Sequence, residues 1–135
     1  MTETKMLAKI ALLAYGIVNL LFGFMYVLMA ETLIASLAPP GWELNVFHPR
    51  VLGGFLVVIG VFCFLMFLNK NWTWDNIKVA YMALFAFILP MIIGQILVLV
   101  LLPTTPAFVG EMMFEIPLQA FLLILGIVGY LKQSD

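Results

Sequence analysis

A chain of 135 residues that is 65% hydrophobic and only 10% charged, with a mean hydropathy of +1.19, cannot coat a soluble globule, which usually has about 25% charged residues. Its net charge of -1 comes from six basic and seven acidic residues scattered along the sequence, so there is no basic patch for nucleic acid. A single cysteine, Cys63, excludes an intramolecular disulfide, a CxxC pair and a cysteine-built metal site, and a single histidine excludes bis-histidine haem ligation within one chain.

Four apolar runs, near 7–30, 51–68, 77–102 and 107–131, approach or exceed the ~18 residues that cross a bilayer's hydrocarbon. Lipid offers no partner to backbone N–H and C=O groups, so the spanning solution is helical. The expected fold is an all-α integral membrane protein: one domain, an up-down bundle of four transmembrane helices at about 7–30, 50–68, 77–102 and 106–131.

The first run follows Lys5 and Lys9 as a signal peptide would, but it is longer than the roughly 7–15 residues of an h-region, and it is read as a retained helix. Gly16 and Gly23 mark a close-packing seam. Asn19 lies between them, with Tyr15 and Tyr26 on its face as hydrogen-bond partners. Glu31 ends this helix, and the 31–49 stretch, with Pro39-Pro40-Gly41-Trp42, is expected along the outer surface over the bundle's mouth. His48-Pro49-Arg50 opens the second helix, whose seam is Gly53, Val57 and Gly60. Asn71-Trp72-Thr73 in the next loop matches a glycosylation acceptor, but the expected topology puts it inside. The third helix offers Ala80, Ala83 and Gly94 as its seam, and Pro90 is expected to kink it by freeing the carbonyl of Ala86. Thr105-Pro106 provides a Thr cap and a first-turn proline for the fourth helix, which must start well before Pro117 to be long enough. Gly126 and Gly129 form its seam.

Lys5, Lys9, Lys70, Lys78 and Lys132 fall on one side of this topology and only Arg50 on the other. The bias places both termini in the cytoplasm. Trp72, Trp74, Tyr81 and Tyr130 are expected as inner interfacial anchors, with Trp42 as the outer one. The same bias argues against the dual insertion of small multidrug transporters and fluoride channels.

Glu111, Glu115 and Gln119, spaced i, i+4, i+8, share one face of the fourth helix near its outer end. A charge deep in the hydrocarbon costs about 2.5–3.5 kcal/mol on insertion scales, so this face should turn inward or toward a partner. Arg50, Gln95, His48 and Glu31 lie at similar depth, and the expected cluster centres on an ion pair from Arg50 to Glu115 or Glu111. His48 is read as an interfacial cap or hydrogen-bond donor. No metal or cofactor is expected.

From Arg50, the stretch RVLGGFLVVIG resembles the second helix of small four-helix bacterial membrane proteins, the DoxX-like and related uncharacterised families. The likeness extends to length, helix count and the proline-bearing loop before Arg50. It implies the same four-helix fold. Some DoxX-like members are linked to thiosulfate and quinone chemistry, but this sequence has no residue set that carries it.

Three functional readings follow. The leading one is non-enzymatic: an accessory or stabilising subunit of a membrane complex, or a homo-oligomer, with lipid, other membrane proteins or itself as partners. The alternative is an outward-facing binding or transport protein for a small polar ligand, proton or lipid headgroup, built on Arg50, Glu111 and Glu115. The third is an enzyme acting on a lipid or quinone with Glu115 as acid/base.

Overall fold

The structure, a computed structural model, describes residues 3–37 and 47–134. These residues are helical in six elements: α1 (Met6–Leu28), α2 (Ala30–Leu37), α3 (Phe47–Leu68), α4 (Trp74–Ala86), α5 (Ile88–Leu101) and α6 (Pro106–Ser134). α4 and α5 follow one another through Phe87, whose backbone stays right-handed helical. With that pair taken together, four helices are long and apolar enough to cross a membrane: Met6–Leu28, Phe47–Leu68, Trp74–Leu101 and Pro106–Gln133. The Pro39–Trp42 surface stretch and the Trp42 anchor lie outside the described residues.

Local chemistry sets the element ends. Thr105 caps α6 as expected: its Oγ1 accepts the Phe108 N–H at 3.2 Å and donates to the carbonyl of Leu37 at 2.9 Å. One hydroxyl therefore starts α6 and ties it to the end of α2. Pro117 sits inside α6 and withholds one N–H from the ladder, yet the helix continues through it. The break between α4 and α5 comes three residues before Pro90, where the missing proline N–H frees the Ala86 carbonyl.

α1 and α3 make the tightest seam, and glycines make it possible. A Cβ on Gly23 would stand 2.8 Å from the Val57 backbone nitrogen and 2.9 Å from the Gly53 carbonyl. One on Gly53 would meet the Gly23 carbonyl at 2.7 Å, and one on Gly60 the Gly16 carbonyl at 3.1 Å. Gly16 thus faces Gly60 while Gly23 faces Gly53, so the helices run antiparallel, and only a missing side chain lets their backbones approach so closely. α6 packs on the other side of α1, where Gly129 leaves room for the Tyr81 hydroxyl and Ala8, and Gly126 for the Phe85 ring.

The third span departs from its expected seam. Ala80, Ala83 and Gly94 are exposed, and nothing lies within 4 Å of a Cβ placed on Gly94. α4 instead buries its large side chains, Trp74, Ile77, Tyr81 and Phe85. Aromatic area outweighs close backbone approach on this helix. Trp74 and Tyr81 are accordingly core residues and not interfacial anchors: their rings meet edge-on at 5.1 Å, and Trp74 lies 5.6 Å from Tyr130. The Tyr81 hydroxyl donates to the Gly126 carbonyl at 2.8 Å, satisfying its polar end inside the core.

The two ends of the bundle differ. The apolar core, including Ala8, Leu12, Cys63, Met66, Tyr81 and Leu122, fills the end that carries the chain termini. Those termini are clasped: Gln133 accepts the Lys5 N–H at 2.6 Å and donates to the Glu3 carbonyl at 2.7 Å, while the Lys5 ammonium donates to the Lys132 carbonyl at 2.9 Å. Toward the opposite end packing loosens. Ile88 is the one residue α5 buries, and α5 rests on α6 and α4 with no packed seam to α3. The gap left between α3 and α5 positions the site.

Candidate functional site

Three helices each bring one polar side chain to the same place. On α6, Glu115 is 4% exposed. Tyr26 of α1 donates its hydroxyl to Glu115 Oε1 at 3.2 Å, and Gln95 of α5 donates Nε2 to Oε2 at 2.9 Å. Each carboxylate oxygen therefore has one neutral donor. Glu111, one turn earlier, sets its carboxyl beside that of Glu115. Among the described residues the ion pairs are Lys9–Glu3, Arg50–Glu31 and Lys78–Asp75, so no cationic side chain reaches either glutamate.

Glu115, Tyr26 and Gln95 form one wall of a cavity of about 80 Å³ between α1, α3, α5 and α6. Helical spacing explains how each element reaches it. α6 contributes Glu115, Leu118, Gln119 and Leu122; Phe87, at the joint before α5, contributes with Met91 and Gln95 of α5; α3 contributes Leu52 and Leu56. These sets repeat every three or four residues, so each lies on one helix face. The face of α1 runs from Tyr15 through Asn19 to Tyr26. Asn19 is satisfied within its own helix, donating Nδ2 to the Tyr15 carbonyl at 2.7 Å. Two acceptors are not satisfied: the side-chain carbonyl oxygens of Gln95 and Gln119 are buried with no hydrogen-bond partner. A buried carbonyl without a donor costs about 1–3 kcal/mol, so a cavity that holds two of them suits a guest with donors.

The expected Arg50 ion pair goes elsewhere. Arg50 pairs with Glu31 and also donates Nε to the Val27 carbonyl at 3.4 Å. Both side chains are about half exposed. Arg50 sits in the first turn of α3 and Glu31 in the first turn of α2, so they meet at the rim without entering the bundle. A hydrogen bond from its own backbone N–H, and then the Arg50 guanidinium, hold the Glu31 carboxyl below the usual carboxylate range. His48 is exposed, its ring edge-on to Phe47 at 5.6 Å, and does not line the cavity. The single cluster expected from the sequence is therefore two: a rim pair of Arg50 and Glu31, and an inner cluster of Glu115, Glu111, Gln95 and Gln119.

Tyr26 enters the inner cluster from a different expected role, since it serves Glu115 and not Asn19. The apolar wall of Phe22, Leu56, Phe87 and Met91 had no sequence signal, because such residues look the same facing a cavity, a core or lipid. No family model matches this chain, and no curated protein or solved structure matches it.

Proposed function

We propose that this chain is a multi-pass protein of the cell membrane, an up-down bundle with both termini in the cytoplasm, that binds a small polar group in a pocket in its outer half. The observation that carries the binding reading is the cavity itself. A buried carboxyl held by neutral donors and two buried amide oxygens without partners sit on the wall of an open space of about 80 Å³. The lysine bias supports the orientation, and the clasp of Lys5 with Gln133 and Lys132 fits an even number of crossings. The resemblance to DoxX-like families bears on fold and brings no activity with it. Quinone chemistry gains no support from the pocket, because quinone carbonyls need donors and the buried atoms left without partners on this wall are acceptors.

A subunit role remains the second reading, and one observation favours it. Leu89, Ile93, Ile96, Leu97 and Val100 of α5 are all exposed, leaving a broad aliphatic face for lipid or another membrane helix.

Native mass spectrometry of the protein released from native nanodiscs, beside Glu115→Ala and Arg50→Ala variants, tests both. A small molecule that Glu115→Ala loses and Arg50→Ala keeps is the expected result. Bound protein unaffected by either substitution establishes the subunit role instead, and a bare chain removes the binding reading.

A further inference from the structure

The cavity has a chemical direction, and it is not closed on all sides. Its polar wall presents the Glu115 carboxyl and the unpartnered carbonyl oxygens of Gln95 and Gln119, and the Glu111 carboxyl adjoins Glu115 without lining the cavity. The buried atoms left without a partner on this wall, the two amide oxygens, are acceptors. The amide nitrogen of Gln95 gives one of its two N–H groups to Glu115, and Arg50, the basic residue nearest in sequence to the α3 wall, is held at the rim by Glu31. An anionic headgroup or a fatty carboxylate would meet carboxyl groups with no compensating cation, which is the arrangement that excludes it. A donor-rich cation meets one partner after another.

The opposite wall is apolar. Leu52 and Leu56 of α3 line the cavity together with Phe87, at the joint before α5, and Met91 of α5, and no packed seam joins α3 to α5. In a bilayer that gap opens sideways to the acyl chains. The volume of about 80 Å³ is about half of the ~150 Å³ apolar cavity that admits benzene, so it suits a headgroup and its first carbons and no whole lipid.

Resting on the binding reading above, we infer that the pocket takes an amphiphilic cation. Its ammonium-type head sits on Glu115, Gln95 and Gln119, and its alkyl chain leaves through the cleft between α3 and α5 into the bilayer. Phe22, Met91 and Leu56 then act as the walls that select an apolar stem, and Glu115 as the group that selects positive charge.

The test uses the full chain in phosphatidylcholine nanodiscs, with dodecylamine, dodecanol, lauric acid and butylamine as probes, read by native mass spectrometry. Glu115→Gln is compared in the same bilayer, which cancels lipid partitioning. The variant keeps acceptor and donor atoms for Tyr26 and Gln95, so it should melt with the wild type. The wild-type protein is expected to hold one dodecylamine about tenfold more tightly than the variant does, and to hold dodecanol equally in both. Equal dodecylamine binding by the two proteins, or dodecanol and lauric acid binding as well as dodecylamine, overturns the cation assignment. Met91→Trp, which fills the cleft from α5, should weaken dodecylamine more than butylamine; equal weakening overturns the sideways seating. If no probe binds but a co-purified molecule still depends on Glu115, this inference fails and the binding reading stands. If neither is seen, both fail.

Discussion

Gly23 and Gly94 are the same residue type in two apolar helices, yet they call for opposite expectations. A methyl at Gly23 would press on the Val57 backbone nitrogen and the Gly53 carbonyl, atoms that cannot swing aside, so Gly23→Ala should destabilise by about 1–3 kcal/mol, the usual range for overpacking. Gly94→Ala adds its methyl in open space and should be neutral, or stabilising by up to ~1 kcal/mol from helix propensity. Thermal melts in one detergent separate the two, and a Gly23→Ala protein that melts with the wild type would contradict the seam. A second expectation at this scale concerns the rim pair. Because the Glu31 carboxyl is held below its usual range, its contribution to stability is full above the ordinary carboxylate value and fades as pH falls through the lower folded value. The first cause is its own backbone N–H, with Arg50 behind it, so Arg50→Ala should move the titration only part of the way back. Carboxyl carbon NMR follows that directly, and full reversion would place the cause in the guanidinium. Sequence spacing could reveal that Glu111, Glu115 and Gln119 turn to one side, but it could not choose their partners. Arg50 had three acidic residues within plausible reach on two elements, Glu31 on α2 and Glu111 and Glu115 on α6, and only the fold of α2 back toward α3 decides for Glu31.

Elements carry their own lessons. The α1–α3 seam was legible because two glycine pairs share one seven-residue interval, Gly16 with Gly23 and Gly53 with Gly60, and in successive crossings of a membrane they meet antiparallel, Gly16 with Gly60 and Gly23 with Gly53. The third span was legible as a span but not in its facing. Small residues point to packing only where no larger side chain competes, and Trp74, Tyr81 and Phe85 compete successfully for the interior. That aromatic face makes a testable claim. Tyr81→Phe removes the hydrogen bond to the Gly126 carbonyl while leaving the ring stack, and should cost about 0.5–1.5 kcal/mol. Thr105→Val removes both the first-turn cap of α6 and the tie to Leu37, with an expected loss of about 1 kcal/mol; amide exchange should rise at Phe108 and leave the far end of α6 unchanged. Uniform exchange along the helix would show that the cap does not set its start.

At the scale of the whole molecule, the four spans are unequal partners. α1 is the axis, packed on α3 on one side and α6 on the other, while α5 leans on α6 and α4 alone. Composition could show the number of helices long and apolar enough to span, but the gap between α3 and α5 depends on a seam that fails to form, and a missing contact leaves no mark on a sequence. The predicted orientation is checked with a membrane-impermeant thiol reagent on intact cells: Ala35→Cys should label and Lys70→Cys should not, with Cys63 silent because it is buried. The reverse pattern would invert the topology. The clasp between Lys5 and Gln133 has a further meaning. With Lys5 and Gln133 in contact, the path from α1 to α6 is nearly a ring, and its opening point is a matter of order and not of architecture. A short linker of about six residues, reaching up to ~20 Å at roughly 3.3 Å per residue, would close it between Gln133 and Lys5. New ends could then be cut at the exposed turn 69–73, which the Trp74–Tyr130 contact places at the same end of the bundle. Such a permuted chain would begin with α4 and finish with α3, and would keep the glycine seam, the aromatic core and the pocket. The order in which the spans are made would change while the assembled helices stayed where they are.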